Sequence, residues 1–208
     1  GARIVSIWVP DQEGVFRDVV LAFDNIGQFA DKEHSPSDFG AVIGRYANRI
    51  GEGHLEIDGK TYQLPQNNFT HCLHGGPDGW HYRVFQAEQP DAQHLVLTLE
   101  SPDGDANFPG AVTAVVTMKV TDDNAIDISY EAVTDKKTVI NMTNHTYFNL
   151  SGDPTRRVDD QILQILLLGG ESGLPEKLLQ SDGAHMHFAF QTVLFDQGVI
   201  VDQVKLRT

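Results

Sequence analysis

The sequence predicts an all-β protein, a large antiparallel β-sandwich, and three observations carry that expectation. Three consecutive segments, His94 to Glu100, Val112 to Val120 and Ile126 to Ala132, alternate apolar and polar residues with period two. An Asp58-Gly59 pair sits between two further short strand-like segments, the strongest short-range hairpin cue. No stretch shows the sustained 3.6-residue periodicity of a long amphipathic helix. Sheets with one apolar face must bury it against another layer, so a sandwich follows from the pattern.

Taken in order, Arg3 to Val9 is rich in β-branched and aromatic residues and stops at the turn signal Pro10-Asp11. The chain thus begins inside a strand-like run, which suggests that further residues precede it. Asp18 to Phe23 is a second short apolar run, Asn25 to Lys32 a short helix, and His34 to Gly40 a polar, proline-containing loop. His54 to Ile57 and Thr61 to Leu64 flank Asp58-Gly59-Lys60 as a hairpin. Pro65 to Gly79, rich in Asn, His, Gly and Pro, reads as irregular. Leu95, Leu97 and Leu99 share one face of the next strand. Turns at Pro102-Asp103-Gly104 and Asp122-Asp123-Asn124 separate the three alternating segments. Internal repeats and low-complexity stretches are absent from the sequence.

Composition narrows the function. The chain has 208 residues, 40% hydrophobic and 21% charged, which describes a globular chain. Fifteen Lys and Arg against 29 Asp and Glu leave a formal charge of −14. Nucleic acid and anionic membranes need clustered cations, so neither is an expected partner. A neutral or cationic small molecule is compatible. No apolar run approaches the roughly 20 residues of a membrane helix, and no signal-peptide pattern opens the sequence. The lone Cys72 excludes an intrachain disulfide framework and fits a reducing, cytoplasmic setting.

Residues able to carry chemistry fall in three places. Asn141 to Gly152 holds His145 among amides, hydroxyls and rings, with Thr143, His145, Tyr147 and Asn149 on one side of an extended chain. Such a mixture suits a polyhydroxylated ligand; it equally suits a strand end with a satisfied structural histidine. Gly44 to Gly51 carries Arg45 and Arg49 around Asn48. An arginine fork matches adjacent ligand oxygens, although the residues by themselves favour a surface strand whose arginines pair with carboxylates. His71-Cys72-Leu73-His74-Gly75-Gly76 offers His74 as acid, base or donor, on glycines that permit close approach. His71, Cys72, His74 and His81, with His185 and His187, also raise a metal reading, but the spacing of a zinc site is missing and none is expected. No phosphate loop, nucleophile elbow or zincin motif occurs. His74 and His145 are therefore the proton carriers the residues offer.

Five motifs in this order resemble the aldose 1-epimerases, or galactose mutarotases. They are Gly44 to Ile50 (GRYANRI), Asp58 to Pro65 (DGKTYQLP), Leu73 to Gly76 (LHGG), Phe108 to Gly110 (FPG) and Thr143 to Gly152 (TNHTYFNLSG). The resemblance implies the galactose mutarotase-like supersandwich, with a monosaccharide site on one sheet and no cofactor. It implies that Asn48, Arg49 and Tyr147 bind sugar, that His74 hydrogen-bonds near the ring oxygen, and that His145 is the general acid in interconverting α and β anomers of a hexose such as glucose or galactose. The resembling domain is expected over residues 1–165, without its N-terminal start. A divergent or out-of-frame tail, 166–208, follows, with an alternating stretch from Phe188 to Leu194 that suits a strand completing the sheet. The family's C-terminal glutamate base and a further substrate-binding aspartate are not recognisable. Glu171, Glu176 and Asp182 lie in the unmatched tail, and no base is assigned. A non-catalytic sugar-binding relative is the alternative. An incomplete sandwich would also expose strand edges open to pairing.

Overall fold

A computed structural model describes residues 1–34, 37–122 and 125–161, and the backbone of 193–194 and 200–207. The chain opens with β1 (Trp8–Pro10), β2 (Phe16–Asp18) and β3 (Val20–Leu21), then the short helix α1 (Ile26–Ala30). Asn25 caps that helix by accepting the Gln28 amide on its side chain. Next come β4 (Val42–Ile43), β5 (Arg49–Ile50), the hairpin β6 (His54–Ile57) and β7 (Lys60–Gln63), β8 (Cys72–Leu73) and β9 (Gln86–Glu88). The long strands β10 (His94–Ser101), β11 (Val112–Val120) and β12 (Ala125–Thr134) follow. The short strands β13 (Val139–Ile140), β14 (Thr143–Asn144), β15 (Tyr147–Phe148) and β16 (Val193–Leu194) precede β17 (Ile200–Arg207).

The period-two segments form the main sheet, in the order β17-β12-β11-β10-β9. All its neighbours are antiparallel. Register converts alternation into a core. Leu97 lies opposite Val116, which lies opposite Tyr130; Leu99 lies opposite Ala114, which lies opposite Ala132. All six are buried on one face, and each large one contributes about 1.5–3 kcal/mol of transfer free energy. Val42, Trp80, Ile140 and Met142, from the short-strand layer, pack against them. The sandwich expectation is thus met: one continuous sheet faces a layer of short paired strands. The hairpin layer closes over a second cluster of Ile57, Leu64, Cys72, Phe108 and Val139.

Two expectations change. Of Arg3 to Val9, only Trp8 and Val9 are strand, as the start of β1. The preceding residues are held singly, Ile4 donating to the Gly40 carbonyl and Ile7 to the Asp18 carboxylate. Arg45 is not on a surface strand: it is 1% exposed. Its Nη1 donates to the carbonyls of Pro109 and Gly110 at 2.9 and 2.8 Å, and its Nη2 to Ser101 Oγ at 2.7 Å. Ser101 ends β10 and the two carbonyls lie in the loop that follows it, so the guanidinium pins that loop to the segment after β4. In the tail, β17 runs antiparallel along β12 and β16 pairs with β13. The rest of Phe188 to Leu194, together with Glu171, Glu176, Asp182, His185 and His187, lies outside the described residues.

Candidate active site

His145 stands in a segment bonded at both ends to earlier chain. β14 pairs with β4, Thr143 opposite Ile43, and β15 pairs with β3, Tyr147 opposite Leu21. Between them the His145 amide donates to the Ala41 carbonyl at 2.8 Å, and the Gly40 amide to the His145 carbonyl at 3.0 Å. The backbone of His145 is thereby fixed while its half-buried ring projects.

His74 reaches the same place from β8. It and Asn48 both have left-handed backbone, φ 54° and 68°, a conformation costly for most residues and tolerated best by Gly and Asn. The two hold each other. The His74 amide donates to the Asn48 carbonyl at 3.1 Å, and the Asn48 amide donates to His74 Nδ1 at 2.9 Å. An Nδ1 that accepts a backbone N–H carries no proton, so the neutral imidazole bears its hydrogen on Nε2. Close approach makes this possible: a Cβ on Gly75, φ 82°, would lie 2.2 Å from the Gly44 carbonyl oxygen. The His74 and His145 rings meet edge to face, centroids 5.2 Å apart.

Asp38 lies beside both. One nitrogen of each imidazole and one Asp38 oxygen fall within 4.8 Å of one another. His74 Nε2 is 3.9 Å from Asp38 Oδ2, and His81 Nε2 is 3.4 Å from Asp38 Oδ1. Arg3 fixes the Asp38 loop by donating to the carbonyls of Ser37, Phe39 and His81. Burial pushes His81 down to about 4, against the opposing pull of Asp38, so its ring is neutral near pH 7. Around the cluster, Tyr147 packs on His145 at 5.1 Å and on Phe39 at 4.6 Å, and Phe39 stacks on Phe23. Burial first, then the Asp38 charge, raises the Tyr147 hydroxyl above its ordinary value.

Arg49 sits on β5 opposite Leu73, the residue before His74. Its Nε donates to Asn68 Oδ1 at 2.9 Å and its Nη1 to Asn48 Oδ1 at 3.3 Å, leaving an exposed fork held in a set direction. Asn48, Arg49, His74, His145 and Tyr147 are therefore neighbours, linked pair by pair. His71 is elsewhere, its Nδ1 accepting the Glu52 amide, and the Cys72 thiol is buried and pushed up to about 11 by that burial. The donor set Asp38, His74 and His145 has the composition of a metal site. A cation would need the lone pair on His74 Nε2, where Asn48 keeps the proton, so the residues do not fit one. Asp38, Phe39 and Asn68 were not singled out from sequence. The polar loop ending just before the apolar Ala41-Val42-Ile43 was the available signal for Asp38.

Fold and site together define the class: an antiparallel β-sandwich carrying an imidazole–carboxylate cluster rimmed by amides, a guanidinium and aromatic rings. The aldose 1-epimerase family model matches residues 1–172. The chain is 38% identical over 185 residues to aldose 1-epimerase of Escherichia coli K12, covering 87% of this chain and 52% of that one. It is 35% identical over 165 residues to human galactose mutarotase, covering 79% and 47%. Among solved structures it is similar to an aldose epimerase homologue from C. elegans, TM-score 0.67 and 34% identity over 71% of this chain and 45% of that one. It is also similar to galactose 1-epimerase from Lactobacillus acidophilus, TM-score 0.60 and 29% identity over 72% and 43%. The chain belongs to the aldose 1-epimerase family. It spans about half the length of the curated relatives it matches.

Proposed function

We propose that this protein interconverts the α and β anomers of a neutral aldohexose, such as glucose or galactose, by acid–base opening and closure of the ring. One observation carries the reading: two imidazoles from distant parts of the chain meet edge to face at 5.2 Å, beside the Asn48 and Arg49 donors. Anomerisation requires a proton to reach the ring oxygen as another leaves the anomeric hydroxyl. The C1–C2 bond then rotates and the ring closes on the other face of the aldehyde. In this reading His145 delivers the proton to the ring oxygen. Arg49 and His74 stabilise charge developing on the hemiacetal, and Asn48 and Tyr147 hold hydroxyls and the sugar face. The unit proposed to carry the site is the sandwich of residues 1–165, which contains all five side chains.

Polarimetry on freshly dissolved α-glucose and α-galactose tests this. The parent protein is expected to speed the approach to rotational equilibrium well beyond the spontaneous rate, and His145→Ala to lose about 100-fold or more of that acceleration. A parent that leaves the spontaneous rate unchanged refutes the activity; a His145→Ala protein as fast as the parent refutes the assignment of the acid.

A further inference from the structure

We propose that Phe69 is a specificity-determining residue of this site, laying its ring against the carbon face of the bound sugar and favouring galactose over glucose. The inference rests on the anomerase reading above and adds a substrate contact that reading does not use.

Phe69 stands where packing alone would not put it. It is 93% exposed, so almost none of the free energy that burying a phenylalanine releases is realised within the described residues. Its backbone is strained as well, with φ of 52°, an outlier for a bulky residue. The Asn68 amide donates to the His71 carbonyl at 3.2 Å, and the His71 amide to the Asn68 carbonyl at 3.0 Å. Phe69 and Thr70 are therefore the two central residues of a closed turn. Phe69 has the positive φ and Thr70 does not, and the first central position of such a turn belongs to Gly. A ring both strained and uncovered, where glycine would sit without strain, points to a contact outside the chain.

The turn is tied to the site. Asn67 holds Leu73 twice, its Nδ2 donating to the Leu73 carbonyl at 3.0 Å and its Oδ1 accepting the Leu73 amide at 2.8 Å. Leu73 lies opposite Arg49 and precedes His74. Asn68 Oδ1 accepts Arg49 Nε at 2.9 Å, which leaves the amide NH2 as its donor end. Consecutive Cα atoms are about 3.8 Å apart, so the Phe69 side chain begins one step beyond the group that holds Arg49. His74 is buried and His145 half-buried, whereas Arg49 and Phe69 are exposed. A sugar whose anomeric carbon meets the imidazoles thus extends its far end, C3 and C4, toward the guanidinium and the ring.

That pair of groups suits a sugar. Hydroxyls take the amide and guanidinium donors, and C–H bonds meet the aromatic face, which carries partial negative charge. Galactose and glucose differ at this end. In galactose the axial C4 hydroxyl gathers the C–H bonds of C3, C4 and C5 onto one face. In glucose that hydroxyl is equatorial, and the C4–H bond points to the opposite face.

Polarimetry over a range of galactose and glucose concentrations tests the assignment. With the parent shown active, Phe69→Ala is expected to raise KM for galactose about 10-fold, with kcat within about twofold, and KM for glucose by about threefold or less. Phe69→Tyr, which keeps the ring, is expected to keep the parent's KM values. Phe69→Gly, suited to the positive φ, is expected to show the same KM rise with a thermal midpoint at or above the parent's; a packing role would lower that midpoint. Parental KM for galactose in Phe69→Ala, or an equal rise for both sugars, overturns the inference while leaving the anomerase reading standing. A lowered thermal midpoint in Phe69→Gly overturns it too, since the ring then acts through the fold. If the parent itself shows no mutarotation, both fall.

Discussion

His74 works as a donor because one backbone amide, that of Asn48, occupies its other nitrogen. The LHGG motif singled out the residue, yet its proton's position depends on a partner 26 residues earlier and was not legible in the motif. Asp38 was hidden for a similar reason: nothing local distinguishes it from other loop carboxylates until Arg3 and the His145 segment bring it to the imidazoles. His81 shows how a neighbour's environment sets chemistry. Its folded value of about 4 lies below the ordinary 6.5. Between those two values the unfolded chain binds a proton that the folded chain refuses, so stability falls as pH falls. The effect is absent above about 6.5 and complete below about 4, reaching about 3 kcal/mol. Urea midpoints of the parent are expected to drop across that window, and His81→Asn is expected to flatten this part of the profile. Equal slopes for the two proteins would contradict the assignment.

At the scale of elements, locally encoded pieces were legible and long-range ones were not. Asp58 and Gly59 take φ of 52° and 73°, the two positive values that a two-residue hairpin turn of primed type demands. The Asp-Gly dipeptide announces them. The three alternating strands likewise find partners adjacent in sequence. By contrast, the pairing of β3 with β15 and of β4 with β14 has no local signature, because two-residue strands carry too little period to specify a partner. Arg45 joins such pieces. Its guanidinium sits 1% exposed among the carbonyls of Pro109 and Gly110 and the Ser101 hydroxyl, with burial lowering it to about 10. Arg45→Met would leave those acceptors unsatisfied in the interior, where each costs about 1–3 kcal/mol. A loss of about 3 kcal/mol or more in urea unfolding is expected. Arg45→Lys should recover little of it, since an ammonium cannot span both sides of the fork. A Met variant as stable as the parent would show that the loop after β10 has other anchors.

At the scale of the molecule, the acidic surface, −14 in formal charge, and a site whose ligand is read as neutral belong together. Long-range fields neither draw such a ligand in nor hold it off. The family, fold class and five of the clustered side chains followed from motifs in order, whereas the carboxylate among them needed the folded chain.

The pairing pattern also has a history in time. β10, β11 and β12 meet neighbours that follow directly in the chain, while β14 and β15, on either side of His145, must find Ile43 and Leu21 from about a hundred residues away. Closing longer loops costs more entropy and slows the search. In pulsed hydrogen exchange during refolding, the amides of β11 should gain protection before those of Gly40 and His145; simultaneous protection would rule out this order. A refolding population would then regain its sheet signal first, with proteases able to cut the still unpaired segment around His145 in the interval.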